Sequence, residues 1–106
     1  MPSNLFIENR HWEIISAILE EHLTNRDIKV YIFGSRATGK NLKRGSDLDI
    51  ALEANSGESI DLELINRLDF DFEDSNLPYK VDLIDLNSVS KEFKTAIIKD
   101  LVELTV

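Results

Sequence analysis

Cysteine is absent from the 106 residues, which removes disulfides, thiolate nucleophiles and cysteine-bound zinc together. Proline occurs twice and glycine four times, so no proline-rich or glycine-rich linker divides the chain. No apolar run approaches the roughly 20 residues a membrane-spanning helix needs. The opening "MPSNLFIENRHWEI" shows no charged leader ahead of an apolar stretch, so nothing suggests export, and a cytoplasmic protein without membrane contact is expected. Positive charge is scarce too: 12 Lys and Arg stand against 20 Asp and Glu, a net charge of −8. Such a surface repels nucleic-acid backbones, and no direct nucleic-acid binding is expected.

What is present is ordinary for a globular chain: 42% hydrophobic and 30% charged residues, in a length that suits one domain, residues 1–106, with one core. Between Ile7 and Leu23, apolar Ile14, Ile15, Ile18, Leu19 and Leu23 recur at helical spacing. "KVYIF" (29–33) reads as a buried strand ending at Gly34, "DLDIALE" (47–53) as a second and "KVDLIDL" (80–86) as a third. Ser59 to Asp74 reads as a helix with Ile60, Leu64, Leu68 and Phe72 spaced by four. A last helix, capped by Ser88 or Ser90, is expected to run to about Leu104 with Phe93, Ile97, Ile98 and Leu101 on one face. The fold class is therefore α/β, a small mixed sheet packed against helices.

The chemistry is concentrated in "GSRATGKNLKRGSDLDIAL" (34–52). Asp47 and Asp49 are two apart on a strand, so their side chains share a face with Cα atoms about 7 Å apart. Carboxylates at that spacing can converge on a pair of divalent ions, the clamp used for in-line phosphoryl transfer. Oxygen ligands favour magnesium or manganese over zinc. The third strand offers Asp82 to complete the set, while Asp85, three residues on, has the opposite parity. Gly34 lets a phosphate approach the backbone, and Ser35 adds a hydroxyl and an N–H where a short helix begins. Arg36, Lys40, Lys43 and Arg44 put four of the twelve basic residues within nine positions, a patch sized for a triphosphate. Candidate nucleotide-binding residues are thus Gly34, Ser35, Arg36 and Ser46, and candidate catalytic and metal-binding residues are Asp47, Asp49 and Asp82.

Gly-Ser, eleven residues, Asp-x-Asp and a later strand Asp together resemble the signature of the DNA polymerase beta nucleotidyltransferase superfamily. Within it the chain resembles the minimal nucleotidyltransferases (MNT proteins) encoded beside HEPN-domain partners, and "LPYKVDLIDL" (77–86) resembles their third-strand region. The likeness spans Ile28 to Leu104. Thr38 departs from it, standing where many antitoxin-type members carry the arginine of Gly-Ser-x-x-Arg-Gly. The resemblance implies the nucleotidyltransferase fold, with Asp47 and Asp49 binding two magnesium ions and Asp82 binding one of them while helping to activate a hydroxyl. It implies transfer of AMP from ATP to a hydroxyl of a HEPN-domain partner, this chain acting as antitoxin in a complex with two copies of each protein. Two rival readings share the signature. One is a catalytically weak or inactive binding module that neutralises or scaffolds the HEPN partner. The other is a small-molecule nucleotidyltransferase, which needs an added acceptor domain.

Several residues outside that stretch are expected to be structural. His11 and His22 read as surface histidines, and Trp12 and Tyr31 as packing. Glu58 to Asp74 holds seven acids against the single Arg67, a solvated face by default. Phe70 and Phe72 lie about 200° apart on a helix, so one of them must leave the core stripe, and an exposed aromatic among acids suits a basic partner.

Overall fold

The structure, a computed structural model, describes residues 4–105. The elements are α1 (Asn9–Leu23), β1 (Ile28–Phe33), α2 (Ser35–Thr38), β2 (Leu48–Ala54), α3 (Leu62–Glu73), β3 (Val81–Asp85), α4 (Lys91–Ile97), a 3-10 turn (Ile98–Asp100) and β4 (Val102–Leu104). The four strands form one mixed sheet in the order β3-β2-β1-β4. β1 is antiparallel to both β2 and β4, while β2 and β3 run parallel, joined through α3. This is the expected class. None of the described helices is long and apolar enough to cross a membrane.

Strand alternation sorts the side chains onto two faces. Val30 and Ile32 of β1 and Leu48, Ile50 and Leu52 of β2 pack against Ile15, Leu19 and Leu23 of α1 and Leu64, Leu68 and Phe72 of α3. Most of these are fully buried. Each contributes about 1.5–3 kcal/mol, more than a helix cap at about 1 kcal/mol, so this apolar layer fixes the helix positions. The other face carries a smaller cluster, Phe33, Ala51 and Leu86, against which Tyr31, Ile84, Val89, Ile97 and Leu101 pack. α4 thus covers part of the face opposite α1 and α3, helped by a Lys94–Glu53 ion pair at 3.7 Å.

Caps set the helix starts. Asp61 accepts from Glu63 N at 3.1 Å, and Ser90, not Ser88, accepts from Phe93 N at the same distance. Helix α1 begins two residues later than its periodicity suggests, because Ile7 enters the core from an extended segment.

The C-terminal helix expected to reach Leu104 stops at Ile97, and the chain returns as a fourth strand. Val30 pairs with Leu104 and Ile32 with Val102. β1 would otherwise present an unpaired edge of buried apolar residues, and pairing it outweighs a helix whose Phe93 and Ile98 remain exposed. The histidines also differ from expectation. His22 lies between α1 and α3 with Nε2 2.5 Å from Asp71 Oδ2, and His11 packs edge-on against Tyr79. Phe72 is buried and Phe70 is 66% exposed, which resolves the choice between them.

Asp85 ends β3 on the helix side of the sheet, buried, and accepts from Ile60 N at 2.7 Å, Asn87 N at 2.9 Å and Ser88 Oγ at 3.1 Å. It ties the entry to α3 to the exit from β3. Asp85→Ala strands the buried Ile60 N–H and is expected to cost about 2–4 kcal/mol. Urea unfolding measures this, and a loss below about 0.5 kcal/mol would mean that the carboxylate is not holding this junction.

Candidate active site

Topology brings the candidate residues to one end of the sheet. β1 finishes at Phe33 and turns at Gly34. β2, being antiparallel, starts at that end, with Phe33 opposite Asp49. β3, parallel to β2, also starts there, with Asp49 opposite Asp82. Adjacent strands lie about 4.8 Å apart, so Asp49 and Asp82 are neighbours on the face away from α1 and α3. Asp47 sits just before β2 and is exposed. Asp85 falls on the opposite face, as parity requires.

Gly34 has φ 73° and ψ −156°, a conformation open essentially to glycine alone. A Cβ there would also overlap Asp49 Oδ2. The bare backbone of the turn therefore lies directly against the Asp49 carboxylate. Ser35 opens α2, and Gly39 ends it in the left-handed region with φ 77°.

The loop from Gly39 to Ser46 is held by Arg36. The residue is 6% exposed. Its Nε donates to Ser46 O at 3.0 Å, Nη1 to Phe6 O at 3.1 Å and Nη2 to Arg44 O at 3.0 Å. The guanidinium lies 3.8 Å over the Tyr79 ring. Arg36 was expected among the nucleotide-binding residues. Its nitrogens are instead committed to three carbonyls, because the returning loop and the N-terminal segment both close over it. It positions the loop that delivers Asp47. Ser46 closes a turn, with its Oγ accepting from Lys43 N at 2.8 Å and its N–H donating to Lys43 O at 3.0 Å, and the hydroxyl keeps its own proton to donate. Lys40, Lys43 and Arg44 remain exposed beside it.

Negative charge accumulates around Asp49. Its pKa is pushed up to about 6, first by burial, then by Asp82 and by Asp47. Asp69 on α3, not singled out from the sequence, is also raised, by burial and then by Asp82 and Glu73, against a lowering pull from Lys80. Its signal was only its place in the acidic helix. Lys80 Nζ lies 3.4 Å from Asp82 Oδ1 and offsets part of this charge. Oxygen donors, excess negative charge and a turn with no side chain at Gly34 fit a divalent cation. The three aspartates do not close into a tight triplet, as mutual repulsion leads one to expect. Among the described residues, the ligand atoms lying within 4.8 Å of one another are those of Glu21, His22 and Asp71, in the helix layer.

A polymerase beta nucleotidyltransferase family model matches residues 13–105. The chain is 37% identical over 97 residues to a "Probable protein adenylyltransferase MntA" of Haemophilus influenzae, covering 92% of this chain and 81% of that one. A crystal structure of a toxin–antitoxin with AMP-PNP superposes with TM-score 0.67 at 26% identity, over 88% of this chain and 71% of that one. A mutant of the toxin–antitoxin MntA–HpeT gives TM-score 0.66 at 25% identity, over 93% and 73%.

A carboxyl held near 6 in the fold and near 3.9 unfolded binds its proton more tightly when native. Folding stability therefore falls as pH rises from about 4 through 6, where the cost of holding a buried charge beside Asp82 and Asp47 develops in full. Asp49→Asn is expected to melt higher than wild type at about pH 7.5, with the gap closing by about pH 4.5. Thermal melts across that range check it, and a gap that does not vary with pH would show that Asp49 carries no such strain.

Proposed function

The chain belongs to the polymerase beta nucleotidyltransferase family, and from that premise we propose that it transfers a nucleoside monophosphate, AMP from ATP, to a hydroxyl of a partner protein. The observation that carries this reading is the side-by-side pair Asp49 and Asp82 with Gly34 against Asp49. Asp47, Asp49 and Asp82 would hold two magnesium ions, which supply polarisation of the α-phosphate and neutralise charge on the leaving pyrophosphate. Gly34 and Ser35 receive the phosphates at the turn, with Ser46 and the exposed Lys43 alongside.

The acceptor oxygen bonds to the α-phosphorus as the bond from that phosphorus to the pyrophosphate oxygen breaks. Pyrophosphate leaves with the electron pair. The hydroxyl proton passes to a carboxylate, for which Asp82, on the outer strand, is the best placed. The Asp49 carboxyl, its pKa pushed up to about 6 chiefly by burial, would have to be deprotonated to hold a cation.

The partner we propose is a HEPN-domain toxin encoded beside this chain, neutralised in the cytoplasm within a complex of two copies of each. The toxin–antitoxin context of the related structures and the net charge of −8 support a basic protein partner. The site lies open at the sheet end, which suits a macromolecular acceptor. Orientation supplies much of the rate, so the isolated chain should be nearly idle.

Adding the partner is expected to start transfer of label from α-labelled ATP to it, while γ-labelled ATP leaves none because pyrophosphate departs. Asp82→Ala should lower transfer at least about 100-fold. Mass spectrometry of the partner shows the added nucleotide. A partner that is fully neutralised by the Asp49→Asn protein and never gains mass would make this chain a binding module instead.

A further inference from the structure

The strand order gives the site two unlike sides. Gly34 and Ser35 flank Asp49 on the β1 side, and Asp82 lies on the β3 side. On that outer side opens a cavity of about 610 Å³, lined by Asp69 and Glu73 of α3, by Lys80 and Asp82, and by the rings of Phe72 and Tyr79. Three acids against one lysine make its rim negative, and that lysine already pairs with Asp82. Tyr79 is nine-tenths buried, yet its hydroxyl has no hydrogen-bond partner among the described residues. That hydroxyl is closed off from solvent, with Arg36 and Glu8 as its charged neighbours, so Tyr79 offers the cavity its ring and no hydrogen-bonding group. Among the described residues β3 pairs on one side only, which leaves the outer backbone N–H and C=O groups of its edge unpaired on the cavity side.

We propose that this cavity is the acceptor subsite, taking an extended segment of the partner protein that carries the acceptor hydroxyl beside a basic side chain. The proposal rests on the transfer reading above and says where the second substrate enters. Phosphates held at Gly34 and Ser35 crowd the β1 side, so a hydroxyl reaches Asp82 from β3. The free edge of β3 hydrogen-bonds an extended backbone, the aromatic lining takes its apolar atoms, and Asp69 and Glu73 receive its cation. A nucleic-acid acceptor is disfavoured by the same acids.

The test compares Glu73→Lys with Glu20→Lys, an exposed change on α1 outside the cavity. Both alter net charge equally, and a lysine in the last turn of α3 suits the helix. The probe is the full-length protein encoded by the neighbouring gene. Glu73→Lys is expected to weaken its binding, and to raise its KM, about tenfold with kcat unchanged. The melting shift given by magnesium and ATP should stay as in wild type. Glu20→Lys should change binding less than about twofold. Reversing a basic residue next to the acceptor hydroxyl should restore the Glu73→Lys protein. Wild-type affinity in Glu73→Lys, or equal losses in both variants, would overturn the subsite. Wild-type protein that never transfers label refutes the enzymatic reading, while the two binding constants still decide whether the partner docks here.

Discussion

Everything at the catalytic end depends on how closely the Gly34 turn approaches Asp49. No other residue fits there, both because of the backbone angles and because a methyl group would occupy the space of the carboxylate. The contact locks the end of β1 to the start of β2 at the point where α2 departs. The same turn thus sets the backbone proposed to receive the phosphates and the Asp49 carboxylate in one rigid relation. Arg36 completes the arrangement from below by gathering the carbonyls of Phe6, Arg44 and Ser46. A buried guanidinium removed from such a cage would leave three carbonyls unpaired, so the loop is held as firmly as many core contacts.

The fold then uses polarity of strand direction to concentrate charge. An antiparallel step followed by a parallel one makes β2 and β3 start where β1 stops. Asp47, Asp49 and Asp82 cluster for that reason, although Asp82 is far from the others in sequence. The cluster is electrostatically unfavourable, and the apolar layer between the sheet, α1 and α3 supplies the stability that tolerates it.

Much of this was legible in the sequence. The three long strands, the amphipathic α1 and α3, and the parity that separates Asp82 from Asp85 all follow from periods of 2 and 3.6. The spacing of Gly34, Ser35, Asp47 and Asp49 places the glycine where one strand ends and the aspartates where the next begins. What stayed hidden depended on distant partners. "LVELTV" alternates like a strand, yet it also continues the helical spacing of Phe93, Ile97 and Leu101, and only the open edge of β1 decides between them. Arg36 sits in a basic run suited to phosphate, and its inward turn depends on where Phe6 and Arg44 place their carbonyls. The pairing of His22 with Asp71 needs the packing of two helices 49 residues apart in sequence.

The strained Asp49 carboxyl sets stability and work against each other. On the proposed reading a cation bound there would replace a proton, so loading would be an exchange. Mild acidification relaxes the fold by filling that carboxyl with hydrogen, and by the same event it would compete the proposed cation away. On the proposed reading, the conditions in which the protein is hardest to unfold are those in which it is least ready to act. Replacing the aspartate to gain robustness would sacrifice the very tension that makes the site attract metal.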